Sequence, residues 1–126
     1  MIILDSNIWI ALLNIDDSDH ARAQELMKDL EENIIVTEHV LLEVATIISQ
    51  KVDKDTADNF IKRVISTKEI EIFPSSEEFL DRVIKFYLSK SNRNLSFVDY
   101  SLLLLSKRIK VITFDKILKK ELAKVL

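Results

Sequence analysis

Short apolar runs alternate along the chain with longer stretches whose apolar residues recur at helical spacing. Ile2-Ile3-Leu4 and Ile34-Ile35-Val36 are unbroken apolar runs between polar residues, which marks strands buried on both faces. Ile70 to Phe73 places apolar residues beside charged neighbours, and Val111 to Phe114 is a fourth strand-like segment. Between the runs, Ala57, Phe60, Ile61, Val64 and Ile65 fall at i, i+3, i+4, i+7 and i+8, one face of a helix. The spacing predicts helices over 7–13, 18–30 and 38–51, a fourth starting at Asp53, a fifth opening at Pro74–Ser76 and ending near 89, and two more over 96–109 and 116–126. The cluster Asp16-Asp17-Ser18-Asp19, and also Thr37, Asp53 and Ser96, supply helix-starting side chains. Strands alternating with helices predict an α/β fold with a parallel sheet of four strands and helices packed on it.

Composition narrows the chemistry. The 126 residues suit one domain, 1–126, and 48% hydrophobic content suits a packed core. Eighteen basic and 21 acidic residues leave a formal charge of −3, so a polyanion must be held by local patches or bound cations. There is no cysteine, which excludes disulfides and thiolate metal sites. There is no glycine, which excludes glycine-rich phosphate loops. Asn14, Asn33, Asn92 and Asn94 are then the expected residues for turns of positive φ. No apolar run is long enough to span a membrane, and the N-terminus lacks a basic signal region, so a soluble cytoplasmic protein is expected.

Four acids stand out. Asp5 directly follows the first strand and Asp115 the last. In open parallel sheets ligands gather at the carboxyl ends of strands, although both aspartates also suit helix N-caps. Glu43 borders the apolar stripe of Val40, Leu41, Val44, Ile47 and Ile48, which predicts partial burial. Asp99 completes a Ser96-x-x-Asp99 capping box on a helix whose Leu102 to Leu105 cover every direction. Carboxylates brought close raise each other's pKa unless cations sit between them. Their hard oxygens favour Mg²⁺ or Mn²⁺.

Asp5 in Ile-Leu-Asp-Ser-Asn, Glu43 in Leu-Leu-Glu-Val-Ala, Asp99 in Leu-Ser-Phe-Val-Asp and Asp115 in Ile-Thr-Phe-Asp-Lys resemble the acidic quartet of PIN domains. The chain looks most like the small VapC-type toxins of that family. The resemblance spans nearly the whole chain in order, and Asp19-His20-x-x-Ala23 also looks like a family segment. It implies a sheet of four or five strands in the order 3-2-1-4, the fifth at an edge, with helices on both faces, and a Mg²⁺- or Mn²⁺-dependent ribonuclease, the toxin of a type II toxin–antitoxin pair. Asp5, Glu43, Asp99 and Asp115 would be both catalytic and metal-binding, with Asn7, Ser96 and Thr113 in support. RNA is the implied substrate, an antitoxin the implied partner and a homodimer the implied assembly. Many relatives add a final strand that this sequence lacks at Val125-Leu126, and Tyr100 stands where a small residue is common.

Other residues carry plainer expectations. His20 and His39 read as helix-start residues rather than acid–base groups. Trp9, Leu12 and Leu13 suit either the core or a dimer face. Lys107, Arg108, Lys110, Lys116, Lys119, Lys120 and Lys124 lie near the last strand and helix, and a solvated face explains the helical group. Two rivals remain at this stage. A phosphotransfer receiver would need a lysine where Asp115 stands, and a non-catalytic PIN-like module binding RNA or protein would not need four acids.

Overall fold

The computed structural model describes residues 1–91 and 94–124. Its elements in chain order are β1 (Ile2–Leu4), α1 (Ser6–Leu13), α2 (His20–Asp29), β2 (Ile34–Thr37), α3 (Glu38–Lys51) and α4 (Lys54–Ser66). There follow β3 (Ile70–Phe73), α5 (Glu77–Leu88), α6 (Phe97–Leu105), β4 (Lys110–Ile112) and α7 (Lys116–Ala123). The strands form one parallel sheet in the order β3-β2-β1-β4, with Ile2 opposite Ile34 on one side and Lys110 on the other.

Side-chain alternation along the two central strands separates two cores. Ile2, Leu4, Ile34 and Val36 face Ile8 and Trp9 of α1, Val40, Val44 and Ile48 of α3, and Ala57, Phe60 and Val64 of α4. Ile3 and Ile35 face the other way, onto Val83 of α5, Tyr100, Leu102 and Leu103 of α6, and Leu118 of α7. Both faces of β1 and β2 are thus covered, which is why their sequences read as continuous apolar runs. Burying one such isoleucine contributes roughly 1.5–3 kcal/mol. The sheet has four strands among the described residues, which leave out Val125 and Leu126.

Several local expectations need correction. The helix expected from Ser18 begins at His20. Asp19 makes no side-chain cap; instead its own N–H donates to Asp17 Oδ1 at 2.8 Å. The α6 helix stops at Leu105, because Ser106 turns its hydroxyl back onto the Leu103 carbonyl and a tight turn leads into β4. No described residue has positive φ, so Asn14, Asn33 and Asn94 do not fill that role; helices end instead on extended caps such as Asn14 or right-handed ones such as Ser89. Asn92 lies outside the described residues. Trp9 belongs to the core, tilted against Phe60 at 5.4 Å between ring centroids. Tyr100 is buried edge-on to Phe86 and Tyr87, away from the carboxylates.

Candidate active site

The chain adds strands outward from β1 to one side as β2 and β3 and to the other as β4, and the crevice beyond the carboxyl ends of strands at such a switch point is where open α/β folds bind ligands. A cavity of about 630 Å³ opens there, lined among others by Asp5, Asn7, His39, Glu43, Ser96, Asp99 and Asp115. The four acids come from four separate elements. Asp5 and Asp115 stand between strand and helix, Asp99 in the first turn of α6, and Glu43 near the middle of α3.

The plain and the functional readings of the aspartates coexist. Asp5 caps α1 by accepting from the Ser6 N–H at 2.7 Å. Asp115 caps α7 by accepting from the Ile117 N–H at 3.1 Å. Ser96 and Asp99 form a complete capping box, with Ser96 N–H donating to Asp99 Oδ2 at 2.9 Å and Asp99 N–H to Ser96 Oγ at 3.1 Å. Capping fixes the rotamer of each carboxylate at the cavity wall, so the same bond that starts the helix aims the acid.

Asp5 is held most firmly and is 5% exposed. Its backbone N–H donates to the Ile112 carbonyl at 2.9 Å, and Thr113 Oγ1 donates to its Oδ2 at 2.8 Å. The Thr113 hydroxyl also accepts from Asn7 Nδ2 at 2.9 Å and from the Asp115 N–H at 3.1 Å. Its proton and both lone pairs are therefore spent. Asn7 Oδ1 accepts from the Phe114 N–H at 3.1 Å. Asn7 and Thr113 thus tie the ends of β1 and β4 together and set the spacing of Asp5 and Asp115.

Burial is the largest influence on Asp5 and raises its pKa above the ordinary value. The Thr113 hydroxyl and Ser6 N–H oppose this, and the negative charges of Asp99 and Glu43 push it further up. Asp5, Glu43 and Asp99 are therefore within electrostatic reach of one another. Glu43 is exposed rather than partly buried, because its position on α3 faces the open cavity and not the sheet. His39, read from sequence as a first-turn residue, reaches the same wall. Its Nε2 lies 3.1 Å from Ser75 Oγ, and it is the one described lining residue able to carry positive charge. The available signal was its spacing, four residues before Glu43 on one helix face.

The chain matches the PIN domain family model over residues 2–121. It belongs to the PIN domain family. No curated protein matches the chain. Among solved structures, this PIN domain is similar to VapC20 of Mycobacterium tuberculosis, a sarcin–ricin loop cleaving toxin, at 21% identity and a TM-score of 0.85, covering 95% of this chain and 94% of the other. It is also similar to FitAcB from Neisseria gonorrhoeae, at 15% identity and a TM-score of 0.66, covering 98% of this chain and 94% of the other. These likenesses establish the fold. No helix among the described residues is long and apolar enough to cross a membrane.

The donor set bears on the divalent ion expected of such a site. Among the described residues, no three His, Asp or Glu side chains converge closely enough to cage an ion. All the acidic donors are oxygens around an open cavity, with Asp5 destabilised by its neighbours' charge. That combination fits a hydrated Mg²⁺ or Mn²⁺, which is held by one or two carboxylates and keeps most of its waters.

The capping box makes one prediction here. Asp99→Asn keeps an oxygen for the Ser96 N–H and removes a charge that opposes Asp5, so metal-free stability should stay within about 0.5 kcal/mol of wild type. Asp99→Ala loses the box and should cost about 1 kcal/mol. Urea denaturation of both variants in chelator separates the two effects.

Proposed function

We propose that this PIN domain is a Mg²⁺- or Mn²⁺-dependent endoribonuclease that hydrolyses RNA phosphodiester bonds, and that it is the toxin of a type II toxin–antitoxin pair. The observation that carries the reading is the meeting of Asp5, Glu43, Asp99 and Asp115, far apart in sequence, on the wall of one cavity. The shared fold with VapC20, a sarcin–ricin loop cleaving toxin, supports this reading.

In this reading Asp5, Asp99 and Asp115 would hold the ion, one or two of them directly and the rest through its waters, with Glu43 reaching it directly or through water. When bound, the ion lowers the pKa of water and offsets negative charge on the phosphate and the leaving oxygen. The chain's own residues supply position. Thr113 and Asn7 lock Asp5 against the Asp115 loop. Ser96 fixes Asp99. Glu43, exposed at the mouth, is placed to accept a proton from an attacking water, and His39, one turn earlier on α3, shares the same wall. Water attacking in line yields a 5′-phosphate and a 3′-hydroxyl. An antitoxin partner and a homodimer belong to the same reading. Exposed Leu80, Ile84, Tyr87 and Leu88 form an apolar stripe on α5 that supports a second copy there.

The test is incubation of the purified protein with ribosomal and messenger RNA. Cleavage is expected in Mg²⁺ or Mn²⁺ and none in chelator, with wild-type activity restored on adding the ion back. RNA left intact under every ion condition would favour the non-catalytic module and overturn the proposal.

A further inference from the structure

On the far side of the Thr113–Asp115 segment lies a second crevice of opposite character. It has a volume of about 390 Å³ and is bounded by the β4 edge, α2 and α7. Arg22, Lys110 and Lys119 line it, and no described lining residue is acidic. In a chain of net charge −3 this is a pronounced segregation. The acidic cavity and the basic crevice share one wall, since Thr113 and Phe114 line the crevice and Asp115 lines the cavity.

Arg22 is placed rather than merely present. Its guanidinium carbon lies 4.2 Å from the centroid of the Phe114 ring. Stacking on an aromatic face orients the planar fork and leaves its N–H edge for an anion. The nearest carboxylate, Asp19, is 3.9 Å from Nη1, and both side chains are about half exposed, so the pair is weak. Lys110 and Lys119 are exposed and form no ion pair among the described residues. Phe114 is in turn pinned through its N–H to Asn7 of the acidic cavity. The arginine thus packs on the segment that carries Asp115 and, through Thr113, bonds Asp5.

We propose that this crevice binds the RNA backbone, with Arg22, Lys110 and Lys119 contacting phosphates that flank the scissile one. The inference rests on the ribonuclease reading for its choice of RNA, and its chemistry is complementary to that of the cleavage site. The acidic cavity repels a polyanion in the absence of a cation; the crevice supplies the local attraction that the net charge does not. Because this attraction is read from phosphates, it is independent of base sequence and is lost with salt.

The test is fluorescence anisotropy with a labelled single-stranded RNA of mixed sequence, in chelator so that no cleavage occurs. Wild type should bind with a steep salt dependence. The triple variant Arg22→Gln/Lys110→Gln/Lys119→Gln should reduce the slope of log affinity against log salt by about 2 and weaken binding by about tenfold or more at low salt, as expected for about 0.7 per phosphate contact on a single strand. A control triple, Lys51→Gln/Lys62→Gln/Lys68→Gln, removes the same charge from exposed positions on α3, α4 and the turn before β3 and should change binding far less. Equal losses in both triples, an unchanged crevice variant, or no RNA binding by the wild type would each overturn the proposal. Binding that depends on the crevice in a protein that cleaves nothing with Mg²⁺ or Mn²⁺ would sink the nuclease reading and leave this one standing. Cleavage by a protein indifferent to the crevice would do the reverse.

Discussion

Replacing Asp5 with asparagine is expected to lower RNA cleavage by about 10²–10³-fold, the loss typical of removing a pre-organised electrostatic group, while stability at pH 7 stays within about 1 kcal/mol of wild type. The two effects separate because Asp5 is costly to the fold as an anion. It is 5% exposed and faces the charges of Asp99 and Glu43. An amide removes that cost, but it can keep only one of the two bonds that the carboxylate accepts from Ser6 N–H and Thr113 Oγ1. Gain and loss nearly cancel for folding and not for chemistry. The pH dependence follows from the same shift. Burial, foremost, raises the Asp5 pKa above its ordinary 3.8. A carboxyl whose folded-state pKa exceeds its unfolded one holds its proton more tightly in the folded chain. Its contribution to stability is thus greatest in acid and declines as pH rises from 3.8 through the raised value. Denaturation of metal-free protein across that window should show the decline in wild type and its absence in Asp5→Asn. A variant that cleaves normally would remove Asp5 from the chemistry.

Thr113→Val carries the largest expected effect on stability among the site residues. The two side chains have nearly the same shape, so the change isolates the hydroxyl. Without it, the Asp115 N–H loses its acceptor, and Asn7 Nδ2 and Asp5 Oδ2 keep only their long 3.5 Å contact with each other. Buried groups left unpaired cost about 1–3 kcal/mol each. A loss of about 2–3 kcal/mol and a fall in melting temperature of about 10 °C are expected. Cleavage should drop by about 10–100-fold, the usual result of removing a group that orients a metal-holding carboxylate. Thr113→Ser keeps the hydroxyl and should restore most of both. If Thr113→Val melts and cleaves like wild type, the network does not set the spacing of Asp5 and Asp115.

Much of the architecture was readable because its signals are local. The apolar runs at Ile2–Leu4 and Ile34–Val36, the cap at Thr37 and the α3 limits at Glu38 and Lys51 follow from neighbours within one or two turns. The β3-β2-β1-β4 order, expected from the family resemblance, is the order found. The aspartates were legible for the same local reason, since a cap at a strand end is where a ligand-facing acid belongs. What escaped was long-range. The Asn7–Thr113–Asp5 network joins residues more than 100 positions apart, and no periodicity reports such a pairing. The exposure of Glu43 depends on where the cavity opens, which the α3 stripe alone leaves undetermined. Arg22 sits on a helix remote in sequence from Phe114, so the basic crevice was invisible in the list of lysines near β4.

The proposed nuclease needs its four carboxylates, from separate elements, to serve one or two divalent ions together, in part through coordinated water. That requirement is tested most directly by calorimetric titration of Mn²⁺ into wild type and into Asp5→Asn, Glu43→Gln, Asp99→Asn and Asp115→Asn. Wild type should bind Mn²⁺, with a loss of about tenfold or more in the aspartate variants and a smaller one in Glu43→Gln. Undiminished Mn²⁺ binding by Asp5→Asn and Asp99→Asn alike would contradict that requirement.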